Sequence, residues 1–221
     1  MSARQVTLLS VNRTVVVVGL LTLTVTASPV SAQQAAPHPS PQPNEHPIVD
    51  TVKFVAGGAL ALAMHEGGHL VLDVAFDAHP RLKPVHFGPV PFFAITHRGD
   101  LSPRREFAVS SAGIWVQEAA AEWLLTSRPA LRRAHAPMVK GVLAFDVLTS
   151  LGYAAVAFAK AGPTERDTRG MASTGIDERA IGVIVLAPAA LDTYRYFRPD
   201  AKWARWASRL VKMGSVTLIA K

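Results

Sequence analysis

Long apolar stretches alternate with short polar ones along the chain. Residues 51–76, 138–161 and 180–197 are nearly continuous apolar runs, separated by segments rich in proline, arginine or acidic residues. The first is long enough, at about 1.5 Å per residue, to cross a ~30 Å hydrocarbon core with tilt. Residues 106–126 set apolar Phe107, Val109, Ile114, Trp115, Leu124 and Leu125 among the polar Gln117, Glu118 and Glu122, the pattern of a helix with one polar side. Between them, Pro80, Pro84, Pro89, Pro91 and Pro103 exclude a continuous helix over 77–105. There Val85-His86-Phe87 and Phe92-Phe93-Ala94-Ile95-Thr96 flank Gly88-Pro89-Val90-Pro91, which reads as two short extended segments joined by a turn. The pattern predicts a mainly α fold: a polytopic membrane helix bundle with a small β-hairpin after its first long helix.

The ends read differently. Arg4 and Arg13 precede an uncharged stretch over 14–32 that closes on Val30-Ser31-Ala32. Residues 1–32 are therefore expected to be a signal peptide or an N-terminal membrane anchor. Residues 33–50, rich in proline and glutamine, read as an extended linker. Residues 51–221 then form one membrane-embedded domain. The tail from Arg198 is basic and carries Trp203 and Trp206, as suits an interfacial segment.

Composition agrees with a membrane setting. Of 221 residues, 18% are charged, below the roughly 25% of soluble domains. The net charge of +7 sits mostly in loops and the tail, with no basic helix interleaved with stacking aromatics ahead of the tail. The partner this charge pattern implies is the lipid bilayer, not nucleic acid. Basic loops point to an integral protein of a bacterial inner (plasma) membrane. The same charge bias favours a topology in which 106–126 does not fully cross. Loops 77–105 and 127–140 would then lie inside, and loop 162–178 outside. Cysteine is absent, so thiolate metal sites and disulfides are excluded.

One motif carries chemistry. His65-Glu66-Gly67-Gly68-His69 lies within the first apolar run. Histidines four apart share a helix face, so both imidazoles can reach one ion. Zinc in a catalytic site takes three protein ligands, and Glu66 beside the first histidine is placed to act as a base. Ionisable groups at membrane depth are costly and mark function by default. A third ligand is needed. Asp192 sits in an apolar segment just after Pro188, and Asp73 shares a helix face with His69; both are candidates. Asp146 also lies in an apolar run, and His79, His86 and His97 lie in the loop.

These residues resemble the site-2 protease family of intramembrane zinc metalloproteases. The likeness covers His65-Glu66-Gly67-Gly68-His69, the extended stretch around Phe87-Gly88-Pro89, the small-residue segment Ser111-Ala112-Gly113-Ile114-Trp115-Val116-Gln117, and Pro188-Ala189-Ala190-Leu191-Asp192. Ile114, Gln117 and Thr193 stand where the family has proline, asparagine and glycine. The resemblance implies zinc held by His65, His69 and Asp192, Glu66 as the base, and Gln117 binding substrate backbone. The expected activity is hydrolysis of peptide bonds in membrane-spanning substrates. Two other readings stay open: a metal-binding or scaffold membrane protein of the same fold without proteolysis, and a secreted soluble zincin using Asp73.

Overall fold

The computed structural model describes residues 47–217 apart from 88, 89 and 99. The expected signal peptide or anchor, and nearly all of the linker, lie outside the described residues. Helix α1 spans Pro47–Ala75. It thus begins inside the segment read as linker, with proline at its first position, where the missing N–H costs nothing. Strands β1 (Arg81–Phe87) and β2 (Val90–Thr96) follow. They pair antiparallel with Arg81 opposite Thr96 and Phe87 opposite Val90. Helix α2 covers Pro103–Ser127 and α3 covers Pro137–Ala159. The segment read as a mixed-charge loop contains a short helix, α4 (Asp167–Met171), and one 3-10 turn, Ala172–Thr174. Helices α5 (Glu178–Phe197) and α6 (Lys202–Thr217) complete the chain.

The protein is mainly helical, with one small two-stranded sheet. Helices α1, α3 and α5 are long and apolar enough to cross a membrane. Helix α1 exposes Val52, Phe54, Val55, Leu60, Leu70, Val71 and Val74, a band of apolar side chains suited to lipid rather than water.

Contacts along the helices fix their directions. Helix α2 lies against α1 in reverse: His69 reaches Val109, His65 reaches Gln117, and Ala61 shares a cluster with Leu124. Helix α3 runs the other way again, with Gly141 against Phe54 and Tyr153 against His65. In α5, Gly182 meets Ala154 and Ala157 of α3. The charge-based reading put loops 77–105 and 127–140 on one side; in the fold they lie at opposite ends of α1. Helix α2 travels the length of α1, and loop 128–136 ends up beside the start of α1, where His135 bonds Asp50 at 2.7 Å. Loop 160–166 is instead at the hairpin end, where Lys83 meets Glu165 at 2.5 Å. Of the polar positions on α2, Gln117 and Glu118 are buried and Glu122 is half-buried among Arg195, Arg209 and Lys212.

Close approach rests on small residues. A Cβ on Gly141 would lie 1.9 Å from the Phe54 carbonyl oxygen, and one on Gly57 would lie 2.0 Å from that of Met138. Both neighbours are backbone, so a methyl group forces the helices apart. Two predictions follow from this packing and from the hairpin. Gly141→Ala should lower the thermal midpoint in detergent by about 3–10 °C, the range for overpacking that costs about 1–3 kcal/mol. Gly214→Ala in α6, whose Cβ meets nothing within 4 Å, should leave it unchanged or higher.

The hairpin is tied to α2 by His97, whose Nε2 lies 3.3 Å from Glu106 Oε2 and whose Nδ1 donates to the Arg98 carbonyl. The Glu106 carboxylate lifts the imidazole from its ordinary 6.5 to about 9, against a smaller opposing effect of burial. A raised folded-state value stabilises fully below pH 6.5 and is lost as pH rises through about 9. Denaturant midpoints should therefore fall across that window, and His97→Gln should flatten the fall.

Candidate metal centre

The two histidines lie on the inward face of α1 and are almost fully buried. Each has its Nδ1 against an oxygen that can only accept. His65 Nδ1 donates to Gln117 Oε1 at 2.8 Å, and His69 Nδ1 donates to the Val109 carbonyl at 2.7 Å. Both Nδ1 atoms therefore carry hydrogen, and in the neutral rings both Nε2 atoms present lone pairs. Those lone pairs point to a common place, with the Nε2 atoms 3.1 Å apart. Asp167 Oδ2 is 3.3 Å from one and 3.4 Å from the other.

Three acceptor atoms thus converge. A tetrahedral ion with ligands at about 2.0–2.1 Å sets its ligand atoms about 3.3–3.4 Å apart. The observed triangle fits that shape. Asp167 Oδ2 is buried and has no hydrogen-bond partner among the described residues, a state that costs free energy unless a cation is supplied. A carboxylate must be ionised to act as a ligand. His65, His69 and Asp167 form the one group of metal-ligating side chains with this convergence among the described residues.

Local structure explains the placement. Gly113 of α2 presses on both rings: a Cβ there would lie 2.5 Å from His69 Nε2 and 2.6 Å from His65 Nδ1. Asp167 opens α4, whose neighbours are clamped. Arg166 binds Glu178 through two contacts of 2.6 and 2.8 Å, and the buried Thr168 hydroxyl donates to the same carboxylate at 2.9 Å. Gly170 is tight against Ser110 of α2, which brings the start of α4 down onto the bundle.

Beside the triangle is a cavity of about 180 Å³. Glu66, His69, Tyr153 and Asp167 line its polar side, and Val85, Phe93, Ile95 and Val156 its apolar side. Glu66 thus faces the space next to the three convergent atoms.

The other residues singled out by sequence lie elsewhere. Asp192 is not drawn to the imidazoles. Its oxygens accept from Lys212 at 2.6 Å, Ser208 at 2.8 Å and Arg195 at 3.2 Å. It is the counter-ion of α6, and Asp167 rather than Asp192 stands beside the two imidazoles. Gln117 is spent on His65 rather than facing the cavity as a free backbone-binding group. Asp73 is buried one turn beyond His69, with neither oxygen hydrogen-bonded among the described residues, and stands outside the convergent group. Asp146 is also buried and lines a small pocket with Gln117. His79 pairs loosely with Asp77, and His97 with Glu106. Nothing in the local sequence marks Asp167. Its signal is three-dimensional, since only the return of the chain through α3 brings it to the motif.

Comparison with protein-family models, curated proteins and solved structures finds no match to this chain.

If Gly113 keeps room for the imidazoles, Gly113→Ala should weaken metal binding by about 10- to 100-fold, the range for displaced ligand supports. Gly67→Ala, whose Cβ meets nothing within 4 Å, should bind metal as the parent does. Competition with a chromogenic chelator measures both.

Proposed function

We propose that this chain is a zinc-dependent intramembrane peptidase of a plasma membrane, with His65, His69 and Asp167 as ligands and Glu66 as the base. The reading rests on one observation: the two Nε2 atoms of α1, a helix of membrane-crossing length, converge with Asp167 Oδ2 at 3.1–3.4 Å. Two imidazoles and a carboxylate, with no thiolate in the chain, suit zinc with one open position. A divalent ion there acts as a Lewis acid on a scissile carbonyl and acidifies adjacent water.

The protein's own groups do the rest. Glu66 takes the proton of the attacking water and returns it to the leaving amine. Gln117 and the Val109 carbonyl hold the imidazoles in the ligating tautomer. Hairpin residues Val85, Phe93 and Ile95 line the cavity, and Phe93 and Ile95, on one face of the hairpin, offer apolar contact to an extended substrate segment. Bond cleavage in a transmembrane helix requires local unwinding, and strand addition to the hairpin supplies partners for the freed backbone groups. By this reading the site resembles that of site-2 proteases in its HExxH helix and hairpin, and departs from it in drawing the third ligand from the α3–α5 connection.

A second reading is a metal-binding membrane protein without proteolysis. It is favoured by the small cavity, about 180 Å³ against roughly 300–1,000 Å³ for most ligand sites, and by the Lys83–Glu165 pair that bridges its rim.

One set of variants separates these readings. Purified protein should carry about one zinc per chain. His65→Ala and Asp167→Asn should lose it, and Asp192→Asn should keep it. Glu66→Gln should keep zinc and abolish cleavage of a co-expressed library of transmembrane substrates. Cleavage that survives Glu66→Gln contradicts the peptidase mechanism. Zinc without cleavage in the parent supports the second reading.

A further inference from the structure

The hydroxyl of Tyr153 is unused by this account, yet it reaches the heart of the site. Tyr153 lies on α3, and its ring stacks on that of His65 with centroids 5.8 Å apart and planes 21° apart. Its oxygen is 3.0 Å from His65 Nε2. That nitrogen is the one that faces Asp167 and His69, since Nδ1 is committed to Gln117. The hydroxyl therefore donates to the very lone pair that a metal would take. Once an ion occupies it, the Tyr153 O–H keeps only the Asp167 carboxylate as a neighbouring acceptor, and its ring remains fixed by the stack. The spacing from Nε2 matches the spacing of the ligand atoms from one another, which puts the phenol oxygen on the metal's side of the ring. The same side chain lines the cavity with Glu66.

We propose that Tyr153 is a catalytic residue: its neutral hydroxyl donates a hydrogen bond to the carbonyl oxygen of the bound peptide as that oxygen gains negative charge. The inference rests on the peptidase reading and deepens it. Glu66 is the proton acceptor and Tyr153 the fixed donor, and they share one cavity. The phenol stays protonated throughout, so no proton balance changes. Donors aimed at a developing oxyanion in a site shielded from water are worth about 10²–10³ in rate. Arg166, the other donor that lines the cavity, is engaged by Glu178, and Gln117 Oε1 and the Val109 carbonyl face the Nδ1 side of the rings.

Tyr153→Phe keeps the stack and removes only the hydroxyl. The test compares full-length parent and Tyr153→Phe in detergent by zinc content and by calorimetric titration with a dipeptide phosphinate, whose tetrahedral P–O⁻ mimics the reacting centre. The expected result is equal zinc in both proteins, with phosphinate affinity about 100-fold weaker in Tyr153→Phe. Equal zinc with equal affinity overturns the proposal and leaves the metal site standing. Zinc-loaded parent that ignores the phosphinate overturns it as well. Absence of zinc from the parent overturns the peptidase reading, and Tyr153 falls with it. Loss of zinc in Tyr153→Phe alone would make the residue a support of the site rather than a donor to substrate, and would also overturn the proposal.

Discussion

Two imidazole lone pairs and a carboxylate oxygen cannot share one buried place without a positive charge among them. Everything around His65, His69 and Asp167 serves to keep them there. Gln117 and the Val109 carbonyl take the Nδ1 hydrogens, so rotating either ring would strand a buried donor. Gly113 leaves the rings no side chain to avoid. Arg166, Thr168 and Glu178 fix the turn that carries Asp167. With neutral rings the triad has one formal negative charge, and a divalent ion reverses its sign.

A second polar assembly lies apart from the first and explains what Asp192 does. Lys212 and Arg195 bind Asp192, while Arg195, Arg209 and Lys212 gather around Glu122. Through these pairs α6 is packed by its polar face, with Ser208, Lys212 and Ser215 buried and Trp203, Trp206, Leu210 and Met213 exposed. A helix so oriented has its amphipathicity reversed relative to a water-soluble protein, and the arrangement makes physical sense where the outside is lipid. Removing one partner of such a buried pair strands the other charge, which costs about 3–5 kcal/mol. Asp192 is therefore held by its own counter-ions and is not available to a metal.

Much of this was legible in the chain. The HExxH spacing put both histidines on one face of an apolar helix, and the prolines of 77–105 marked the hairpin. The apolar runs located α1, α3 and α5 to within a few residues. Two features were not legible. Charge counting weighed only the loops and the tail, and could not show that Arg195 of α5 and Arg209 and Lys212 of α6 gather around Glu122 of α2. Asp192 looked like a ligand for the same reason: a carboxylate in an apolar run needs a partner, and sequence does not say whether that partner is a metal or an ammonium group. Asp167 was missed because its neighbours are ordinary loop residues. Its position is set by long-range clamps, Arg166 to Glu178 and Gly170 to Ser110, which have no local signature.

The most direct measurement is the X-ray absorption spectrum at the zinc edge of the purified full-length protein. The account predicts a four-coordinate nitrogen–oxygen shell at about 2.0–2.1 Å, with the outer-shell scattering of two imidazoles, reduced to one in His69→Ala. Absence of bound metal, or a shell without imidazole scattering that is unchanged by His69→Ala, would contradict it.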